Sequence, residues 1–195
     1  MIIKSQSKAF EPITAGVHHA VCQSIIDLGT QESFNPAFKA SRKILFIWEL
    51  PYEVKNFDGV NKPLTISRDF SVSLNKKAAL RQMLDSWRGR PFTDSELSNG
   101  FDLEKLIGLN CQLNIVHRAG KSDPSKMYAN IQGVMPLGKG VANVPPFTAP
   151  VYWDIPEDGN AVIPDRIPDW IAEKIEKSRE VKAFRGAGDD ANPFG

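Results

Sequence analysis

From Leu64 to Leu74 the chain alternates with period two. Leu64, Ile66, Phe70, Val72 and Leu74 fall on one side, and Thr65, Ser67, Asp69, Ser71 and Ser73 on the other. Such alternation specifies a strand with one dry face, because successive side chains of a strand point to opposite sides of its sheet. Arg68 is its one breach, on the apolar side. A half-buried strand needs neighbours, and the preceding sequence supplies two. Gly16 to Leu28 (GVHHAVCQSIIDL), closing at Gly29, and Arg42 to Leu50 (RKILFIWEL), stopped by Pro51, are rich in β-branched and apolar residues and read as strands. A polar loop with Phe34, Pro36 and Phe38 separates them.

After the third strand the period changes. With Asn75 as a cap, KKAALRQMLDSWRG places Leu80, Met83, Leu84 and Trp87 at helical spacing and ends at Gly89. A short helical signal from Asp102 to Ile107 leads into a fourth strand, CQLNIVHR. The turn-rich AGKSDPSK then reverses the chain into a fifth, MYANIQGVMPL. Three strands, a helix and two strands is the element order of the OB-fold, a five-stranded Greek-key barrel that binds oligonucleotides across strands two and three and the adjoining loops. Other small barrels and α+β sheets share that order. The expectation is therefore a mainly β, OB-fold-like body over residues 1–150, ended by the proline-rich VANVPPFTAP, which cannot pair as a central strand. Residues 151–182 read as a linker and a C-terminal helix, PDWIAEKIEKSREVK, with Trp170, Ile171 and Ile175 toward the body. Residues 183–195 read as a disordered acidic tail.

Charge is divided along the chain. Residues 1–150 carry 18 Lys/Arg against 13 Asp/Glu, a net +5, and residues 151–195 carry 6 against 10, a net −4. A basic body with an acidic end suits a protein that binds a polyanion. Cys22 and Cys111 fall in separate strand-like segments and read as reduced core residues. No apolar run approaches eighteen residues, and Met1 to Phe10 lacks the apolar stretch of a signal peptide, so a cytoplasmic protein that does not enter membranes is expected.

Single-strand binding needs cations that track phosphates and aromatic faces on which bases stack. Lys43, Trp48, Tyr52, Phe57 and Lys62 lie on the second strand and the following loop, Arg68 on the third strand, and Arg118, Lys121, Lys126 and Tyr128 on the last hairpin. In the fifth strand, Met127, Ala129 and Ile131 take the core parity, which turns Tyr128 outward. Trp48 shares its parity with Ile44, Phe46 and Leu50, so it reads equally as core. Arg88 and Arg90 can grip phosphates or complement the end of their helix. His18 and Cys22 share a strand face but lack further metal ligands in sequence, and His117 follows an apolar strand face and reads as an edge or groove residue, not a catalyst. No nucleophile elbow, phosphate loop or converging set of carboxylates is visible, so neither catalysis, cofactor nor metal is expected.

The run DSWRGRPFTDSELSNGFDLEKLIGLNCQLNIVH, with MYANIQGVMPLGKG and IPDWIAEKIEKS, resembles a family of small phage and prophage replication-region proteins over roughly residues 12 to 182. The resemblance implies an OB-fold protein of the single-stranded DNA-binding type, in a bacterial host cell. The last residues, Asp189-Asp190-Ala191-Asn192-Pro193-Phe194-Gly195, resemble the acidic Pro-Phe tips of single-stranded DNA-binding proteins, although here Gly195 follows the phenylalanine. That likeness implies that Asp189, Asp190, Pro193 and Phe194 recruit replication or recombination proteins. The resulting expectation is a sequence-non-specific single-stranded DNA-binding protein, with a homo-oligomer left open. A protein-only interaction module and a metal-dependent nucleic-acid enzyme are the rival readings.

Overall fold

A computed structural model describes residues 11–33 and 35–189. The fold is mainly β, one open sheet of six strands: β1 (Gly16–Gln31), β2 (Ser41–Phe57), β3 (Val60–Ser71), β4 (Asn110–Ala119), β5 (Met127–Pro136) and β6 (Val151–Trp153). The order is β3-β2-β1-β4-β5, all antiparallel neighbours, and β6 adds parallel to β1. Between β3 and β4 lie α1 (Ala79–Arg88), α2 (Asp94–Asn99) and a 3₁₀ turn (Leu103–Leu106). α3 (Asp169–Glu176) and α4 (Arg179–Asp189) follow β6.

β1 organises the molecule because both of its faces are dry. The ladder to β2 is irregular between Cys22 and Ser24, and this bulge lets Cys22 and Ile25 face one way while Ile26 and Leu28 face the other. On the inner face, Ile44, Phe46, Trp48 and Leu50 of β2 meet Leu80, Met83, Leu84 and Trp87 of α1. Phe46 stacks on Trp48 at 5.4 Å, and Trp48 lies 6.2 Å from Trp87. The two ends of the strand order meet around this core: Arg68 Nη1 of β3 donates to the Ile131 carbonyl of β5 at 2.9 Å. The breach in the alternation of β3 therefore has a structural use. Its guanidinium also sits 4.8 Å over the Phe70 ring.

On the outer face, Ile26, Leu28 and Leu45 are covered by Val151 of β6, Ile155, Ile167, Ile171 and Ile175 of α3 and Val181 of α4. The C-terminal helix packs on the body through Ile171 and Ile175 as expected, while the segment expected as a linker adds β6, Ile155 and Ile167 to this second core. The proline-rich segment does not end the sheet; it crosses the outer face, where the buried Glu49 carboxylate accepts the Phe147 and Thr148 amides at 2.6 and 2.9 Å. A second buried carboxylate, Asp27, accepts from Arg42 and from the Gly29 and Ile155 amides. Gly29 has φ +68°, and a Cβ there would stand 2.5 Å from Ser178 Cβ, so β1 and the start of α4 approach as closely as glycine allows. Glu180 fixes the contact by accepting from the Thr30 amide and hydroxyl at 2.8 and 2.6 Å.

Several expected boundaries move. β2 continues past Pro51 because that proline falls in an irregular stretch between Leu50 and Val54, where the ladder to β3 is interrupted and no partner needs its missing N–H. The strand then returns as β3 through Asp58-Gly59, both left-handed (φ 49° and 86°), the signature of a tight hairpin. α1 begins after Ala78, and Asn75 instead accepts the Ala78 amide through its carbonyl. α2 arises from the Thr93/Glu96 capping box, which the sequence reading passed over. α4 extends to Asp189, so residues 183–189, expected as disordered tail, are helical.

Candidate nucleic-acid interface

The β1–β2 loop and the β4–β5 turn rise on either side of the outer end of β2 and β3. The loop is shaped by Asn35, whose side chain accepts the Ala37 amide and whose carbonyl accepts the Phe38 amide, both at 3.0 Å. The turn is closed by the Gly120 amide donating to the Lys126 carbonyl at 2.8 Å. Between them opens a groove of about 1030 Å³, with Lys43, Asp69 and Ser71 on its floor and α3 along its third side. Five lysines line it: Lys39, Lys43, Lys121, Lys174 and Lys177. The two acids there are engaged. Asp69 stands 3.8 Å from Lys43, and Glu32 is held by Arg179 at 2.6 Å, a contact that draws its carboxyl below the usual glutamate range. Phe38, 66% exposed, projects at the mouth.

The residues expected from the sequence separate into three places. Lys43 and Lys121 enter the groove. Arg68 and Arg118 line a smaller cavity of about 390 Å³ at the seam between β3 and β5. Beside it, Tyr128 is 44% exposed and pairs across the ladder with Arg118, and its ring lies against Gly120, where a Cβ would be 2.7 Å away. Lys126 is paired with Asp123 at 3.3 Å. Tyr52, Phe57 and Lys62 lie at the far end of the β2–β3 hairpin, roughly 30–45 Å of extended strand from Lys43. There Tyr52 sits against His19 at 5.4 Å, and Lys62 faces Lys55. Trp48 belongs to none of these: it is fully buried, so its assignment as a base-stacking residue is corrected to core. The hairpin cluster and the groove do not form one site.

Four groove residues, Phe38, Lys39, Lys174 and Lys177, carry no signal in the sequence that marks them. Phe38 and Lys39 sit in a loop with no periodicity, and the other two lysines lie along a helical segment whose apolar side alone is periodic. Trp170 was assigned to that apolar side, yet Ile171 and Ile175 are the buried residues and Trp170 is half exposed. Arg88 and Arg90 are committed elsewhere. Both bind Glu96, and Arg88 stacks over Phe92 at 4.0 Å. Donation from Arg90 and from the Thr93 amide, with the Arg88 charge, lowers the Glu96 carboxyl to about 2.

Among the described residues no group of three or more His, Cys, Asp and Glu converges to hold a metal ion, and no helix is long and apolar enough to cross a membrane. Burial pushes the Cys22 and Cys111 thiols well above their ordinary range, which leaves them protonated. His18 is held between the Thr14 carbonyl at 2.8 Å and Glu53 at 3.0 Å. Of the C-terminal tip, Asp189 ends α4, and Asp190, Pro193 and Phe194 lie outside the described residues. Comparison with protein-family models, with curated proteins and with solved structures gave no match.

Proposed function

We propose that this protein binds single-stranded DNA without sequence choice, acts in phage DNA replication or recombination in the cytoplasm of a bacterial host, and recruits partner proteins through its C-terminal tip. The observation that carries the reading is the groove across β2 and β3, flanked by the β1–β2 and β4–β5 loops and lined by five lysines beside an exposed phenylalanine. Cations spaced for phosphates next to aromatic faces are what non-specific single-strand binding requires. The strand order supports an OB-like body: a three-stranded meander continues through β1 into the β4–β5 hairpin, and the barrel stays partly open at the β3–β5 seam. The groove then occupies the face and loops through which such barrels hold oligonucleotides.

The test is a titration of labelled oligo-dT across a salt series. With about four cations meeting phosphates, the slope of log affinity against log salt is near −3, and duplex DNA binds more weakly because its bases are not free to stack. Replacing Lys43 and Lys121 together by Gln makes the slope shallower by roughly 1–1.5. No oligo-dT binding at low salt, or a slope near zero, overturns the proposal.

A further inference from the structure

A second cavity, of about 450 Å³, opens on the same outer face of β2 and β3, between the sheet and the start of α3. Its floor continues that of the lysine groove. Thr65 and Ser67 belong to it, and Asp69 and Ser71 to the groove, so one row of short polar side chains on β3 runs beneath both. That row spans about 20 Å. α3 borders both cavities, with Trp170 over the first and Lys174 and Lys177 over the second. Trp170 and Lys174 lie at i and i+4, and Lys177, the residue that caps the helix, continues their stripe at i+7, while Ile171 and Ile175 anchor the adjoining flank in the outer core. The Lys174 ammonium stands 5.0 Å from the Trp170 ring centroid. Glu49, the carboxylate within this second cavity, is consumed by the Phe147 and Thr148 amides, and Arg166 lies at its side.

Resting on the reading of the protein as a single-stranded DNA-binding protein, we infer that α3 is a working wall of the DNA path. A base stacks on Trp170, the adjoining phosphates meet Lys174 and Lys177, and the strand runs along the β3 row toward Phe38. The juxtaposition of one aromatic face and two cations along a hydroxyl-bearing floor fits an extended polyanion with free bases. A duplex, whose bases are paired and internally stacked, cannot use Trp170 in this way.

Trp170 offers its own signal. Of the four tryptophans, Trp48 and Trp87 are buried, Trp153 is partly buried and Trp170 is 47% exposed. Saturating the full chain with oligo-dT should quench its tryptophan fluorescence, and Trp170→Phe should abolish most of that quench. Trp170→Ala should weaken oligo-dT binding roughly 5- to 150-fold at an unchanged thermal midpoint. Lys174→Gln with Lys177→Gln should flatten the salt slope and leave the midpoint in place. Should Trp170→Ala unfold the chain, Trp170→Phe and the lysine pair still decide the question. Oligo-dT that binds the wild type with no quench, or a quench that persists in Trp170→Phe, overturns the role of α3 and leaves the groove reading standing. Absence of any oligo-dT binding by the wild type overturns both.

Discussion

Trp48 illustrates how one residue type serves opposite ends according to which side of a strand it takes. On β2 it shares the inner parity with Phe46 and packs against Trp87, and its removal leaves a void that Phe46 and Trp87 cannot fill without leaving their own contacts. Trp48→Ala should therefore cost about 3–5 kcal/mol of stability, read as a large fall in thermal midpoint, while the fraction that remains folded keeps its oligo-dT affinity. An unchanged midpoint with lost affinity would return Trp48 to the binding surface. The parity that Trp48 shares with Ile44, Phe46 and Leu50 was visible in the sequence, but Leu45 and Ile47 make the other side of β2 apolar too, so its burial was left open. The exposure of Trp170 was not visible. Periodicity places Trp170 beside Ile171 on a helix, but which flank of the apolar stripe meets solvent depends on how α3 crosses the sheet, and that is a tertiary fact.

At the level of elements, α2 is a six-residue helix with no buried residue, and it persists through Glu96. That carboxylate caps Thr93 and gathers Arg88 and Arg90 from the end of α1. Its folded value of about 2 lies below the roughly 4.3 of a free glutamate. The stabilisation is thus complete above about pH 4.3 and is lost as pH falls toward 2. Thermal melts of the wild type and Glu96→Gln should differ at pH 6 and converge near pH 2; a constant gap across that range would show that Glu96 works through packing. Strand and helix identities were largely legible, because period two and period 3.6 are written locally in β3 and α1. Lengths were less so. Pro51 reads as a stop, yet it falls where the ladder is interrupted, and the Asp58-Gly59 hairpin and Thr93/Glu96 box were explicit signals left unread. The sixth strand has three residues, too few for any periodicity, and exists because β1 offers it an edge.

For the whole molecule, the outer core makes the C-terminal third part of the fold. Ile26, Leu28 and Leu45 are at most 2% exposed, and β6, α3 and α4 provide their cover. A chain ended at residue 150 should lose cooperative melting or aggregate, whereas a native-like midpoint would establish residues 1–150 as an independent unit. The two-faced strand β1 also sets a timetable. Its ladder to β2 can form as soon as both strands exist, but its other edge waits for Asn110–Ile115 of β4 and then for Val151–Trp153 of β6. At synthesis rates of about 5–20 residues per second, that edge and the apolar face beside it stand open for on the order of ten seconds after β1 leaves the ribosome. Non-local closure of this kind slows folding, and an uncovered strand edge is open to pairing with the wrong chain. The nascent protein is therefore most exposed to misassembly not when its first strands emerge but in the interval before its last helices arrive.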